Sequence, residues 1–147
     1  MRYEQLSEVP CSITRSLVLL GDRWTLLVLK QCFAGTRRFT ALKDELGISR
    51  SRLADRLDRL VEHGLLHHSD DGEYRLTGKG LDTYPVLMAL RDFGDAHMAR
   101  GGPPFLYQHR GCGGEAHATI LCEDCGETLT ARDITLAAGP GLMESRT

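Results

Sequence analysis

No excess of positive charge marks this chain: 18 Lys and Arg stand against 20 Asp and Glu in 147 residues, a net charge of -2. That excludes a protein that coats nucleic acid through bulk charge, so contact with a polyanion has to come from local clustering. Long apolar runs are missing too. Residues 17–29 form the longest apolar stretch, but Gly21-Asp22-Arg23 interrupts it, and no run reaches the roughly 18 residues a membrane span needs. The first ten residues are polar, carry Glu4 and Glu8, and do not read as a cleaved signal, so a cytoplasmic protein is expected. In a reducing cytoplasm the five cysteines (11, 32, 112, 122, 125) suit metal ligands, redox thiols or small core residues better than disulfides. No nucleophile-base-acid set, phosphate loop or open metal site can be assembled, which speaks against an enzyme.

What is present is an ordinary globular composition, 41% hydrophobic and 26% charged. Residues 12–30 carry a helical period broken at Gly21, after which Asp22 can cap a second helix burying Trp24, Leu27 and Val28. Gly35-Thr36-Arg37-Arg38 reads as a turn, and Thr40 is expected to cap a short helix ending at Gly47, a position suited to left-handed glycine. Ser49 caps the next helix, where Leu53, Leu57, Leu60 and Val61 share one face and Arg52, Arg56 and Arg59 form a separate stripe; Gly64 ends it. Two strand-like pieces, residues 65–68 and 73–76, flank Asp70-Asp71-Gly72, a hairpin-turn signal. Thr77 then caps a helix reaching about Arg100, kinked or delayed at Pro85. Its apolar residues cover more than one face, which calls for two packing partners, its own core and a second copy of the chain.

The pattern predicts a mainly α fold with a small β-hairpin wing. Residues 1–100 form a winged helix-turn-helix domain for DNA binding and dimerisation. Gly101-Gly102-Pro103-Pro104 separates it from a zinc-ribbon-like segment over residues 101–138, followed by a tail over 139–147. Local charge fits that reading. Between Arg37 and Arg59, seven Lys or Arg stand against four Asp or Glu, a local net of +3.

Taken in order, Cys11, Gly21-Asp22-Arg23-Trp24-Thr25, Arg38-Phe39-Thr40, Ile48-Ser49, Arg56-Leu57, Gly64-Leu65, Tyr74-Arg75-Leu76-Thr77 and Gly80 carry a resemblance. Over about residues 11–94 the chain resembles the HxlR family of bacterial winged-helix transcriptional regulators, relatives of the MarR group. The resemblance implies a homodimer with two winged helices that binds palindromic operator DNA and commonly regulates a neighbouring gene. It also implies that Cys11 stands where some relatives carry a redox or electrophile sensor. A small thiol buried at a dimer interface is the other reading of Cys11. Two features depart from the family pattern: Ser12 follows Cys11 where Pro is usual, and Asp70, Asp71 and Glu73 make the wing tip acidic.

In a recognition helix the first turns reach base edges, so Arg50, Ser51 and Arg52 are candidates for direct readout of double-stranded DNA, Arg52 foremost. Arg56 can reach a base or a phosphate. Ser49 and Thr40 offer helix-end amides to phosphates, while Arg37, Arg38 and Lys43 are positioning contacts. The bland alternative is that these arginines only solvate a helix face. At the level of the whole protein, the alternative is a winged-helix protein-interaction module without specific DNA binding.

His109-Arg-Gly-Cys112-Gly and Cys122-Glu-Asp-Cys125-Gly are matching half-sites, with ligands three positions apart and a glycine after the second. Together they suit structural zinc in a segment that offers little apolar core. A degenerate ribbon without metal and a Cys122/Cys125 redox pair remain alternatives, and His117 is a substitute ligand. Cys32 reads as core. A small-molecule or oxidant effector is an open possibility, and no membrane partner is expected.

Overall fold

The computed structural model describes residues 3–143, so residues 1–2 and, at the end of the expected tail, 144–147 lie outside it. A short 3-10 helix (Tyr3–Glu8) leads into α1 (Ser12–Leu20), α2 (Arg23–Phe33), α3 (Phe39–Leu46) and α4 (Arg50–Glu62). A hairpin follows, β1 (Leu66–His68) and β2 (Tyr74–Leu76), and then α5 (Gly78–Leu81), α6 (Tyr84–His97) and, near the end, α7 (Pro140–Met143). Helices dominate, and the two antiparallel strands pair Leu66 with Leu76, His67 with Arg75 and His68 with Tyr74. The chain divides into two compact units, the first ending at Leu87 and the second starting at Met88, within α6.

Local chemistry places the first unit's helices. The Asp22 carboxylate accepts from the amides of Trp24 at 3.0 Å and Thr25 at 3.2 Å, which starts α2 immediately after the Gly21 break. Gly47 ends α3 with φ 60°, a left-handed conformation that glycine adopts without a Cβ penalty. Ser49 then accepts from the Arg52 amide at 3.4 Å and opens α4. Thr40 does not cap α3 as expected. An isolated bridge between Arg38 and Glu73 keeps the chain extended through Arg38, so the helix starts at Phe39 and Thr40 falls in its first turn.

The expected last helix is split. Thr77 does cap its first piece, accepting from the Gly80 amide at 3.0 Å, but α5 stops at Leu81. Pro85 lacks an N–H and is tolerated only in a first turn, so the second piece begins anew at Tyr84.

The core of the first unit is built by Val28, Leu29 and Cys32 of α2, Leu42 of α3, Leu53, Leu57 and Leu60 of α4, with Ile48, Leu65 and Leu66 from the connections and wing. Leu27 is exposed, contrary to expectation. The buried face of α2 runs Thr25, Val28, Leu29 and Cys32, and Leu27, two residues after Thr25, points away from it. Val61 is half-exposed for a similar reason: eight positions after Leu53 it sits about 80° round the helix axis, at the margin of the stripe. Trp24 packs against the core, while burial pushes the Cys32 thiol up to about 11.

Gly80 is the tightest joint between wing and helix. A Cβ there would lie 2.1 Å from the Leu65 carbonyl oxygen and 3.1 Å from Leu76 Cδ2. Gly80→Ala is therefore expected to cost about 1 to 3 kcal/mol, the usual range for overpacking. Urea denaturation reads this directly, and an unchanged midpoint would show that the joint opens freely.

Candidate nucleic-acid interface

Helix α4 has two faces set by its 3.6-residue period. Leu53, Leu57 and Leu60 are wholly buried, while Arg50, Ser51 and Arg52 stand exposed in its first turn. The Ser49 cap fixes where that turn begins. Arg50 lies over the Phe39 ring, 5.2 Å from its centroid, which orients its guanidinium while leaving it at the surface. Among the described residues no carboxylate comes within ion-pair distance of Arg50 or Arg52. The positive end of the α4 dipole adds to their charge.

Arg56 is held differently. Its Nε sits 3.4 Å from Asp22 Oδ1 and its Nη2 3.4 Å from Asp55 Oδ2, with only 22% of the side chain exposed. The carboxylate that caps α2 thus also fastens α4. Arg59 turns inward as well, donating to the Val18 carbonyl at 3.1 Å. Of the arginine stripe read from the sequence, Arg52 alone lies open to solvent, and Arg50 stands beside it.

The wing rearranges the remaining cations. Glu73 draws in Arg37 at 3.8 Å, Arg38 at 3.6 Å and Arg75 at 2.7 Å, and Arg38 also donates to the Asp71 carbonyl at 3.1 Å. These arginines are roughly half exposed, so each pair stabilises the fold by no more than about 1 kcal/mol. Their consequence is positional. The acidic wing carries compensating arginines around Glu73 and Asp71, while Asp70 stands exposed at the tip. A hydrogen bond from the Ser69 hydroxyl, helped by the Glu73 amide and Arg75, holds the Asp71 carboxyl below its ordinary range. Lys43 pairs with Asp44 at 3.4 Å, and Thr40 is exposed. Arg75 escaped the sequence reading as a site residue, although period-two alternation between the half-buried Tyr74 and Leu76 puts it on the outer face of β2.

Cys11 is the half-buried residue just before α1, and its thiol is lowered from the ordinary range chiefly by a hydrogen bond with the Thr14 side chain, with the Thr14 and Ile13 amides adding to it. In the second unit, Arg91 of α6 lies over the Tyr107 ring and pairs with Asp92, Asp95 and Glu115. Asp92 in turn accepts from the Ala118 amide at 2.7 Å and contacts His117 Nδ1 at 3.1 Å. His109 Nδ1 and Cys112 Sγ are 3.2 Å apart, and Cys122 and Cys125 are in side-chain contact. Among the described residues, however, no three His, Cys, Asp or Glu side chains converge on a common centre that could hold a metal ion. The four candidate ligands are brought together in pairs and not as a set. No helix of the described residues is long and apolar enough to cross a membrane.

Comparison with known proteins places this geometry. The chain is 44% identical over 137 residues to the uncharacterised HTH-type transcriptional regulator Rv3095 of Mycobacterium tuberculosis, an alignment covering 88% of this chain and 87% of that one. Among solved structures it is similar to PA1607, described as a candidate transcription factor, with a TM-score of 0.80, 31% identity, and coverage of 90% of this chain and 98% of the other. It is also similar to quinone-bound YodB of B. subtilis, with a TM-score of 0.53, 28% identity, and coverage of 58% and 98%. The HxlR-like helix-turn-helix family profile matches residues 19–101. Sequence pattern, hairpin wing, capped α4 and relatives agree, and the chain belongs to the HxlR-like helix-turn-helix family, with relatives named as transcriptional regulators.

Proposed function

We propose that this chain is a sequence-specific transcriptional regulator that binds a palindromic operator as a homodimer and releases it when Cys11 meets an oxidant or electrophile. The observation that carries DNA binding is the exposed first turn of α4, with Arg50 and Arg52 outside and three wholly buried leucines behind them. A rigid inner face fixes the direction in which the arginines project, and rigid projection is what base readout requires. Arg37, Arg38 and Lys43 set affinity and salt dependence through phosphates, in competition with their internal carboxylates. Ser49 and Thr40 lie at helix starts, where amides can meet phosphate oxygens.

Dimerisation is supported by apolar side chains that stand exposed among the described residues. On α1, Ile13 is 73% exposed, and on α6, Leu90 and Phe93 are 50% and 60% exposed. Such faces in a winged-helix protein suit a symmetric contact, and a twofold dimer matches a palindromic site. The effector reading rests on the lowered Cys11 thiol and on the solved similarity to YodB, which holds quinone.

Gel-shift titration on the DNA upstream of the chain's own coding region tests both parts. A shift is expected that survives random competitor DNA, weakens steeply with salt, and disappears on addition of a quinone. Cys11→Ser should keep the shift and lose the quinone response. Equal affinity for random DNA would instead support a protein-interaction module, and release of Cys11→Ser by quinone would remove Cys11 as the switch.

A further inference from the structure

The two loops bearing His109, Cys112, Cys122 and Cys125 are one backbone structure built twice. The Gly113 amide donates to the His109 carbonyl at 2.8 Å, and thirteen positions on the Gly126 amide donates to the Cys122 carbonyl at 2.9 Å. His109 donates to the Gly114 carbonyl at 2.8 Å, and its counterpart Cys122 donates to Glu127 at 3.0 Å. Ala116 donates to Tyr107 at 2.7 Å, and Leu129 donates to Ile120 at 2.9 Å. Bridges pair Gln108 with Glu115 and Leu121 with Thr128, again at the same step. Gly113 and Gly126 take φ 74° and 73°, a left-handed turn just after the second ligand position.

Chance repetition of a loop does not explain what the loops present. In both, the turn brings the side chains at its first and fourth positions together on one side, 3.2 Å apart for His109 Nδ1 and Cys112 Sγ. The Gly114 amide approaches Cys112 Sγ at 3.4 Å, the kind of donor that steadies a metal-bound thiolate. Gly111 leaves room for the imidazole to fold over the turn, since a Cβ there would lie 2.9 Å from His109 Cε1. His117 is committed elsewhere, to Asp92 and Glu115, which leaves His109 as the histidine of the first loop.

Apolar packing does not account for the order of these loops either. Met88 is the one buried hydrophobic residue of the second unit among the described residues, and Ile120 and Leu121 are 56% and 59% exposed. A small unit without a core commonly takes its folding free energy from a metal or from disulfides. The cysteines here are free thiols, two of them exposed.

We infer that His109, Cys112, Cys122 and Cys125 are the two half-sites of one structural zinc site. Each loop is a ligand pair formed by its own backbone; the two pairs do not converge among the described residues, and one divalent ion would draw them together into a closed four-coordinate Cys3His set. The ion displaces the thiol protons to solvent and needs no oxidant or reductant. With every position filled by protein, the site stabilises the second unit and does no chemistry. This inference is independent of the DNA-binding reading.

The test uses the full chain, purified reduced and without a metal-affinity step, then stripped with chelator and titrated with cobalt(II) followed by zinc(II). One equivalent of cobalt per chain is expected, with thiolate charge-transfer and tetrahedral d–d absorption that zinc abolishes, and chelator should lower the melting temperature. Cys125→Ser and Cys112→Ser should each lose the tetrahedral spectrum, while His117→Ala keeps it. The wild-type titration stands even where a cysteine variant fails to fold. Absence of cobalt absorption with all thiols reactive, or a Cys122–Cys125 disulfide in place of metal, overturns the inference. So does one ion per two chains, which would place the ligands on different copies.

Discussion

Arg52→Ala is expected to weaken binding to the cognate operator about 5- to 150-fold, matching the roughly 1 to 3 kcal/mol of one bidentate guanine contact. Affinity for random DNA should change little by comparison. The helix itself should survive, because Ser49 caps through the Arg52 amide and alanine is the best helix former. Nothing in the fold leans on the Arg52 side chain, which is exposed and without an ion pair among the described residues. Arg56→Ala is the instructive contrast. Its guanidinium joins α4 to the Asp22 cap, so its loss should reduce stability together with affinity for both DNAs. Competition binding with cognate and random duplexes separates the two, and equal loss on both for Arg52→Ala would remove its base-reading role.

Leu57→Ala should be the most damaging single change to the fold, costing about 2 to 5 kcal/mol through lost burial and the cavity left behind. Leu57 is wholly buried at the centre of the inner face of α4, between Leu53 and Leu60. The variant leaves every exposed arginine in place. Its DNA affinity, measured on the fraction that remains folded at low temperature, should therefore stay near that of the unaltered chain, while the urea midpoint falls sharply. A loss below about 1 kcal/mol would mean that the surrounding leucines refill the space, and the rigid backing argued for the arginines would then be weaker than the burial suggests.

Helix starts and stops were legible because each is decided by neighbouring atoms. Asp22, Ser49 and Thr77 accept from amides two or three residues on, and Gly47 supplies a conformation other residues resist. The inner faces of α2 and α4 followed from spacing, apart from Leu27, which points away from the α2 face, and Val61 at the margin of the α4 stripe. Thr40 misled because the start of α3 is set by a partner far along the chain: Glu73 bridges Arg38 and keeps it extended. The same long-range logic hid the division of labour among the arginines. Arg50, Arg52, Arg56 and Arg59 share one helix and look alike in a list, but Asp22 takes Arg56 and the Val18 carbonyl takes Arg59.

The wing shows both sides. Its Asp-Gly turn, its alternating strands and the acidity of its tip were readable. In the folded chain Glu73 gathers Arg37, Arg38 and Arg75, so the charge near the wing base is balanced in a way composition could not reveal. The second unit repeats the lesson. Spacing identified two matching His/Cys pairs as candidate ligands, and the fold adds that the same backbone hydrogen bonds recur in both loops.

By itself, then, the sequence determined the helical periods, the caps at Asp22, Ser49 and Thr77, the hairpin, the family and the spacing of the His/Cys pairs, because these depend on interactions within a few residues. Tertiary structure alone decided which cations remain open at α4, where α3 begins, and how the acidic wing is neutralised. Those outcomes depend on ion pairs and bridges between residues more than thirty positions apart, such as Asp22 with Arg56 and Arg38 with Glu73, and no local pattern encodes such a meeting.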